Sequence, residues 1–289
     1  MPTAEAPSAS CRRKFNIKGA MRRVGNILTA DKNVSSGKGR LPLFYKDPVV
    51  LRFEEHGDVG ITAAANFGFT RNAVAIPLCV GEFAVAMRHY PIVFAMEENA
   101  PPIALVGVRR DDNLFVAHDG NWHPGAYVPA YVRRYPFIAT ESQDGTRQFL
   151  GIDRSSDRFV ACAAAHHDAE RLFHADGEAS ATARSAMAFC NAYHADHTAT
   201  VAFGRALVEA KLLALHHAQF QLPDGSQHQI NGFQSVDEQA FRALPAKTVA
   251  DWHAKGWLDL VTLHLASQRS FQNLLDLNAQ RANERKALV

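Results

Sequence analysis

The chain has 289 residues, 47% of them apolar and 21% charged, with a net charge of +2. These values fit a globular protein of one large or two modest domains, and no run of eighteen apolar residues is present to cross a membrane as a helix. Residues 1–40 hold nine Lys or Arg against Glu5 and Asp31, which leaves 22 basic and 27 acidic residues in the rest, so no nucleic-acid groove is expected there.

Residues 1–40 are rich in Ser, Ala, Gly and Arg, lack a repeating apolar face and read as a disordered basic arm. They contain no continuous apolar stretch of the secretory type. Cys11, Cys79, Cys162 and Cys190 are scattered with no C-x-x-C, which suits reduced thiols in a cytoplasmic protein. From Leu41 the segment LPLFYKDPVVLR is an extended entry with prolines at its edges. Pro77 precedes a helical turn through Glu82, and Phe83, Met87 and Tyr90 recur at helical spacing until Pro91 stops it. Strands are expected over 92–96, 103–109 and, after the turn residues Asp111-Asp112-Asn113, over 114–117, as an antiparallel meander. Residues 118–125 read as a loop and 129–134 as a short helix stopped by Pro136. Residues 137–140 and 147–152 read as a hairpin around Asp144-Gly145.

After about Ser155 the composition shifts towards Ala and His. Ser180 can cap a helix carrying Met187, Cys190 and Tyr193 on one face, and a second helix follows with Phe203, Leu207 and Leu212-Leu213. Residues 217–222 and 228–236 alternate around Pro223-Asp224-Gly225, a hairpin signal. Ser235-x-x-Glu238 fits a capping box and Gly256 a helix end. Residues 257–277 read as a closing helix with Val261, His264, Leu265 and Phe271 at helical spacing. The expected fold class is therefore α+β: an antiparallel β-rich N-terminal part with short helices over 41–155, and a helical C-terminal part with one β-hairpin over 156–289. The two parts are expected to share one core.

The richest stretch for function is 120–138, GNWHPGAYVPAYVRRYPFI, with a Trp, three Tyr, a Phe, three Pro and Arg133-Arg134. Arg beside Tyr and Trp is the composition of a recognition surface, because planar groups lose little rotamer freedom on binding. A structural turn with its rings in the core is the alternative. Adjacent side chains on a helix point about 100° apart, so one arginine can pair inside with Glu82 or Asp153 while the other faces out. An outward guanidinium among Trp122, Tyr127 and Tyr131 could seat a peptide through its carboxylate. The hairpin edges could add the same peptide as a strand.

Metal chemistry is a second reading. His166-x-Asp168, His174-x-Asp176 and His194-x-Asp196 each supply half of a two-His-one-carboxylate triad, which a distal residue such as His228 would complete. His194-x-x-His197 could share a Zn²⁺. With 14 histidines present, so short a pattern recurs by chance, and residues 180–215 read helical where such a triad belongs on a barrel strand. His264 reads as a satisfied core histidine, and Asp237-Glu238 as capping acids. No Gly-rich phosphate loop and no G-x-S-x-G elbow is present, and no cofactor is expected.

The order of short motifs resembles the SapC family. They are AIPLCVGEF (75–83), YPIVF (90–94), ALVGVR (104–109), NLFV (113–116), YVPAYVRRYPF (127–137), LFHADGEAS (172–180), GFQSVDE (232–238) and HLASQ (264–268). The resemblance runs from about residue 41 to about residue 277. It implies a link to a surface layer or to peptide export, with members lying near halogenase-like and cupin-like proteins and outer-membrane receptors. It implies no catalytic residue. By position it carries Glu82, Tyr90, Asn113, Arg133, Arg134, Tyr135, Asp153, Asp237, Glu238 and His264. Residues 163–177, AAAHHDAERLFHADG, depart from the family's acidic pattern there. The expected function is a non-enzymatic accessory protein that binds a peptide or protein partner through Trp122, Tyr127, Tyr131, Arg133, Arg134, Tyr135, Glu82 and Asn113. The alternatives are a metal-dependent oxygenase or hydrolase using His166, Asp168 and His228, and a self-assembling surface component.

Overall fold

The computed structural model describes residues 14–16, 41–63, 66–142, 147–221 and 227–287. The first half is built from short strands: β1 (Lys14–Asn16), β2 (Pro48–Val50), β3 (Gly60–Thr62), β4 (Ala75–Pro77), β5 (Ile92–Ala95), β6 (Pro102–Leu105), β7 (Phe137–Glu141) and β8 (Gln148–Asp153). The helices α1 (Phe53–His56), α2 (Phe83–Ala86) and α3 (Ala130–Arg134) are single turns between them. Then come β9 (Phe159–Val160), β10 (Ala169–Arg171), α4 (Ala181–Glu209), β11 (Leu213–Gln221) and β12 (Gln227–Val236). The chain closes with α5 (Glu238–Arg242), α6 (Ala246–Ala254), α7 (Trp257–Ser267) and α8 (Ser270–Ala287). Antiparallel sheets followed by helices make the fold α+β.

The main sheet runs β1-β12-β5-β6-β4, with β11 also paired to β12, and two three-stranded sheets run β10-β3-β9 and β2-β8-β7. Pairing is antiparallel throughout except for β1 on β12. Strands β4, β5 and β6 are short apolar runs because every residue in them is buried. The third strand beside β5 and β6 is β4, not residues 114–117. Strand β6 already has β5 on one edge and β4 on the other, so no edge is left for 114–117. That segment turns instead, with Val116 bridged to Trp122 and the Leu114 N–H donating to Val106 O at 2.8 Å.

Helix α4 is one helix of 29 residues where two were expected. Ser180 caps it by accepting the Ala183 N–H at 3.2 Å. Its buried stripe of Ala183, Cys190, Tyr193, Thr200, Phe203 and Leu207 continues at steps of three, four and seven residues, all on one helical face, so nothing breaks it. Gly204 sits inside this helix because a Cβ there would lie 2.0 Å from Asn99 O. Gly204→Ala is accordingly expected to cost about 1–3 kcal/mol despite alanine's better helix propensity. Urea unfolding of the variant checks this, and an unchanged midpoint would contradict the close packing.

Ser235 belongs to β12, opposite Ala214, and does not cap a helix. Sheet pairing holds it extended, and the cap of α5 is Asp237, which accepts the N–H groups of Gln239 and Ala240 at 2.9 and 3.1 Å. Gly256, at φ +70°, closes α6 as its residue type allows. The expected helix over 257–277 is two helices. At their junction the Ile92 N–H donates to Ser267 Oγ at 3.0 Å, Gln268 Nε2 donates to Ile92 O at 2.9 Å, and Ser270 Oγ donates to Met87 O at 2.8 Å. The turn is thus stitched to the segment that enters β5. Both hairpins form, β7 with β8 and β11 with β12, while Asp144-Gly145 and Pro223-Asp224-Gly225 lie outside the described residues.

The largest buried cluster joins Ile76, Phe83, Tyr90 and Phe94 to Phe203, Phe233, Val261 and Leu274. Smaller clusters form around Ile152 with Leu172 and around Tyr45 with Tyr135. Among the described residues no helix is long and apolar enough to cross a membrane.

Candidate functional site

The site is built where the turn before α2 meets α3. Glu82 is buried at that turn, and three donors converge on its carboxylate. Oε2 accepts the Cys79 N–H at 2.8 Å, and Oε1 accepts the Ala130 N–H at 2.7 Å and the Tyr127 hydroxyl at 3.0 Å. Burial pushes the Glu82 carboxyl above the usual range, opposed by those three donors. Burial and the Glu82 charge push the Tyr127 phenol up to about 12. Arg133 continues the chain of bonds outward: Nη2 donates to Tyr127 Oη at 2.9 Å and Nε donates to Val128 O at 3.1 Å. Its guanidinium carbon lies 5.5 Å from the Tyr127 ring centroid and 5.2 Å from that of Phe189 on α4. The result is a relay from a buried carboxylate through a phenol to an exposed guanidinium.

Arg134, the next residue, turns inward and is 3% exposed. Its guanidinium carbon sits 4.4 Å from the Tyr193 ring centroid, 4.9 Å from Tyr131 and 5.8 Å from Tyr45. Desolvated contacts of this kind are worth about 2 kcal/mol. One arginine therefore points in and one out. Glu82 serves the outward one, through Tyr127. Asp153, the other expected partner, accepts the N–H groups of Lys46, Asp47 and Ser155.

The structure corrects the expectation that the rings of this stretch face outward. Trp122, Tyr131 and Tyr135 are buried, as are Arg134, Glu82 and Asn113. The physical reason is area: each ring has about 150–250 Å² to remove from water, and the core takes it. Trp122 Nε1 donates to Tyr90 Oη at 3.1 Å, and the Tyr90 hydroxyl donates to Tyr127 O, so these two residues hold up the loop that carries Tyr127. Asn113 braces the preceding turn, accepting the Phe115 N–H at 2.9 Å and donating to Thr70 O at 3.2 Å. Only Tyr127, half-buried, and Arg133, exposed, reach the surface from the expected set. Phe189 and Tyr193 complete the two arginine sites from α4; helical periodicity placed Tyr193 on one face of that helix, but no local pattern tied either ring to the arginines.

His166 and Asp168 stand exposed in the link before β10. Among the described residues no group of three His, Cys, Asp or Glu is placed to hold a metal ion. His228 lies in β12, and its side chain is outside the described residues. His194 Nε2 lies 3.8 Å from Glu141 Oε1, on the surface of α4. His264 is fully buried, with Nε2 accepting the Val236 N–H at 3.1 Å and 3.0 Å from Ser235 Oγ. Burial lowers its pKa to about 3.

No curated protein and no solved structure matches this chain. A family model described as SapC matches residues 51–274, a span that holds Glu82, Tyr127, Arg133, Arg134 and the two rings supplied by α4. By that match, over most of its length, the protein belongs to the SapC family.

Proposed function

We propose that this SapC-family protein is a non-enzymatic binding protein for a peptide or protein partner, anchored at Arg133. One observation carries the reading: an exposed guanidinium is held rigid by Val128 O, Tyr127 Oη and the flanking rings of Tyr127 and Phe189. Arg has five N–H donors in a fixed fork. Two are committed here, which leaves three among the described residues for a ligand oxygen pair. A guanidinium held in place before binding loses less entropy when it grips a carboxylate. The fitting partner is a peptide that offers a free C-terminus or an acidic side chain. The buried Cys79 and Cys190 and the scattered spacing of the cysteines support a reducing compartment, and we place the protein in the cytoplasm, in an accessory role to peptide modification or export.

A peptide array that varies acidic side chains and C-terminal carboxylates tests this. Wild-type protein is expected to retain the carboxylate-bearing peptides. Arg133→Ala is expected to bind them at least about tenfold more weakly, which is about 1.4 kcal/mol, with an unchanged unfolding midpoint. Equal retention by wild type and Arg133→Ala would remove Arg133 as the anchor.

A further inference from the structure

A cleft of about 470 Å³ opens between the 114–124 loop and α8. Leu114, Phe115 and Leu277 give it apolar walls, and Asp119, His123 and Glu284 give it polar ones. Arg281 also lines it, but most of its donors are already committed. Nη1 donates to Asp112 Oδ1 at 3.4 Å, and Nη2 donates to Leu114 O and Val116 O at 3.3 and 2.9 Å. Arg285 adds a second cation to the same Asp112, at 3.2 Å.

The remaining lining groups are mostly acceptors. His123 Nδ1 lies 3.1 Å from Pro124 O. A carbonyl can only accept, so the neutral ring carries its proton on Nδ1 and offers Nε2 as an acceptor. Asp119 takes one bond on each oxygen from Asn121, at 2.9 and 2.8 Å, and keeps further lone pairs. Glu284, 61% exposed in its side chain, lies 3.9 Å from Arg281 Nε. Gln280 supplies a donor and an acceptor alike. Arg71, which donates to His118 O, is not part of the lining. Arg281 and Arg285 together outweigh Asp112 by one charge, which Glu284 offsets, so the Asp119 carboxylate and the His123 nitrogen are the acceptors left over for a ligand.

We infer that this cleft binds an ammonium or guanidinium group carried on an apolar stem, the chemistry of a lysine or arginine side chain. The apolar walls take the methylenes and the acceptors take the charge, as in pockets that are mostly apolar with a few placed polar groups. The cleft shares no residue with Arg133 and its partners, so the inference stands independently of that site.

Calorimetric titration of the full chain tests it with three probes: agmatine, Nα-acetyl-arginine methylamide and Nα-acetyl-norleucine methylamide. At least one cationic probe is expected to bind, and the norleucine probe is not. Agmatine alone would identify a free small cation as the ligand, and the arginine amide alone a peptide side chain. Glu284→Gln and Asp119→Asn are each expected to weaken the binding about threefold or more, with unfolding midpoints unchanged. The proposal is overturned if neither cation binds, if norleucine binds as well as the cations, or if both variants bind like wild type.

Discussion

Glu82→Ala is expected to lower the folding free energy by on the order of 4 kcal/mol. The substitution leaves the Cys79 N–H, the Ala130 N–H and the Tyr127 hydroxyl without their acceptor at a buried site. A buried donor that loses its partner costs about 1–3 kcal/mol. Glu82→Gln separates shape from charge. Its amide oxygen can still serve Ala130 and Tyr127, but its NH₂ group then meets the Cys79 N–H, so an intermediate loss of about 2 kcal/mol is expected. Glu82→Ala should also weaken peptide binding although Arg133 is intact, because Tyr127 is no longer held against Arg133, whereas Glu82→Gln keeps the Tyr127 bond and should bind close to wild type. Urea unfolding and the peptide array give the two readouts. A Glu82→Ala protein within about 0.5 kcal/mol of wild type would show that the relay does not hold α3 in place.

His264 should make the fold sensitive to mild acid. Its pKa is lowered from 6.5 to about 3, chiefly by burial. Above pH 6.5 the ring is neutral in both the folded and the unfolded chain, and its full contribution to stability is present. Below that, the unfolded chain takes up a proton that the folded protein refuses, so stability falls as the pH drops towards 3. The slope from this one group approaches about 1.4 kcal/mol per pH unit. The comparison is between wild type and His264→Gln from pH 7 to pH 5, by chemical unfolding at each pH. The variant loses stability at neutral pH, but its curve should be flatter than wild type. Glu82, raised by burial, titrates with the opposite sign, and the difference between the two curves cancels it. Parallel curves would mean that His264 does not carry the pH dependence.

Much of the architecture was legible along the chain because its signals are local. Pro77, Pro91 and Pro136, the Ser180 cap and Gly256 each mark an element boundary by what their own backbone permits, and the structure honours them. Boundaries set by neighbours distant in sequence were not legible. Residues 114–117 have strand composition but find both edges of β6 occupied. Ser235 has the spacing of a cap but is held in a ladder by Ala214. The α7–α8 break follows from side chains that bond Ile92 and Met87, more than a hundred residues earlier.

The same division applies to the site. Composition alone singled out residues 120–138 and the arginine pair, and the motif order alone pointed to the family that the match over 51–274 shows. Only the tertiary structure decided which arginine meets water. Two adjacent helical side chains point about 100° apart, so the sequence allows either to be the buried one. Helix α4 decided it by bringing Tyr193 against Arg134 and Phe189 against Arg133, while Glu82 fixed Tyr127 beside the exposed one. Orientation depends on contacts some sixty residues away, and those exist only once the chain has folded.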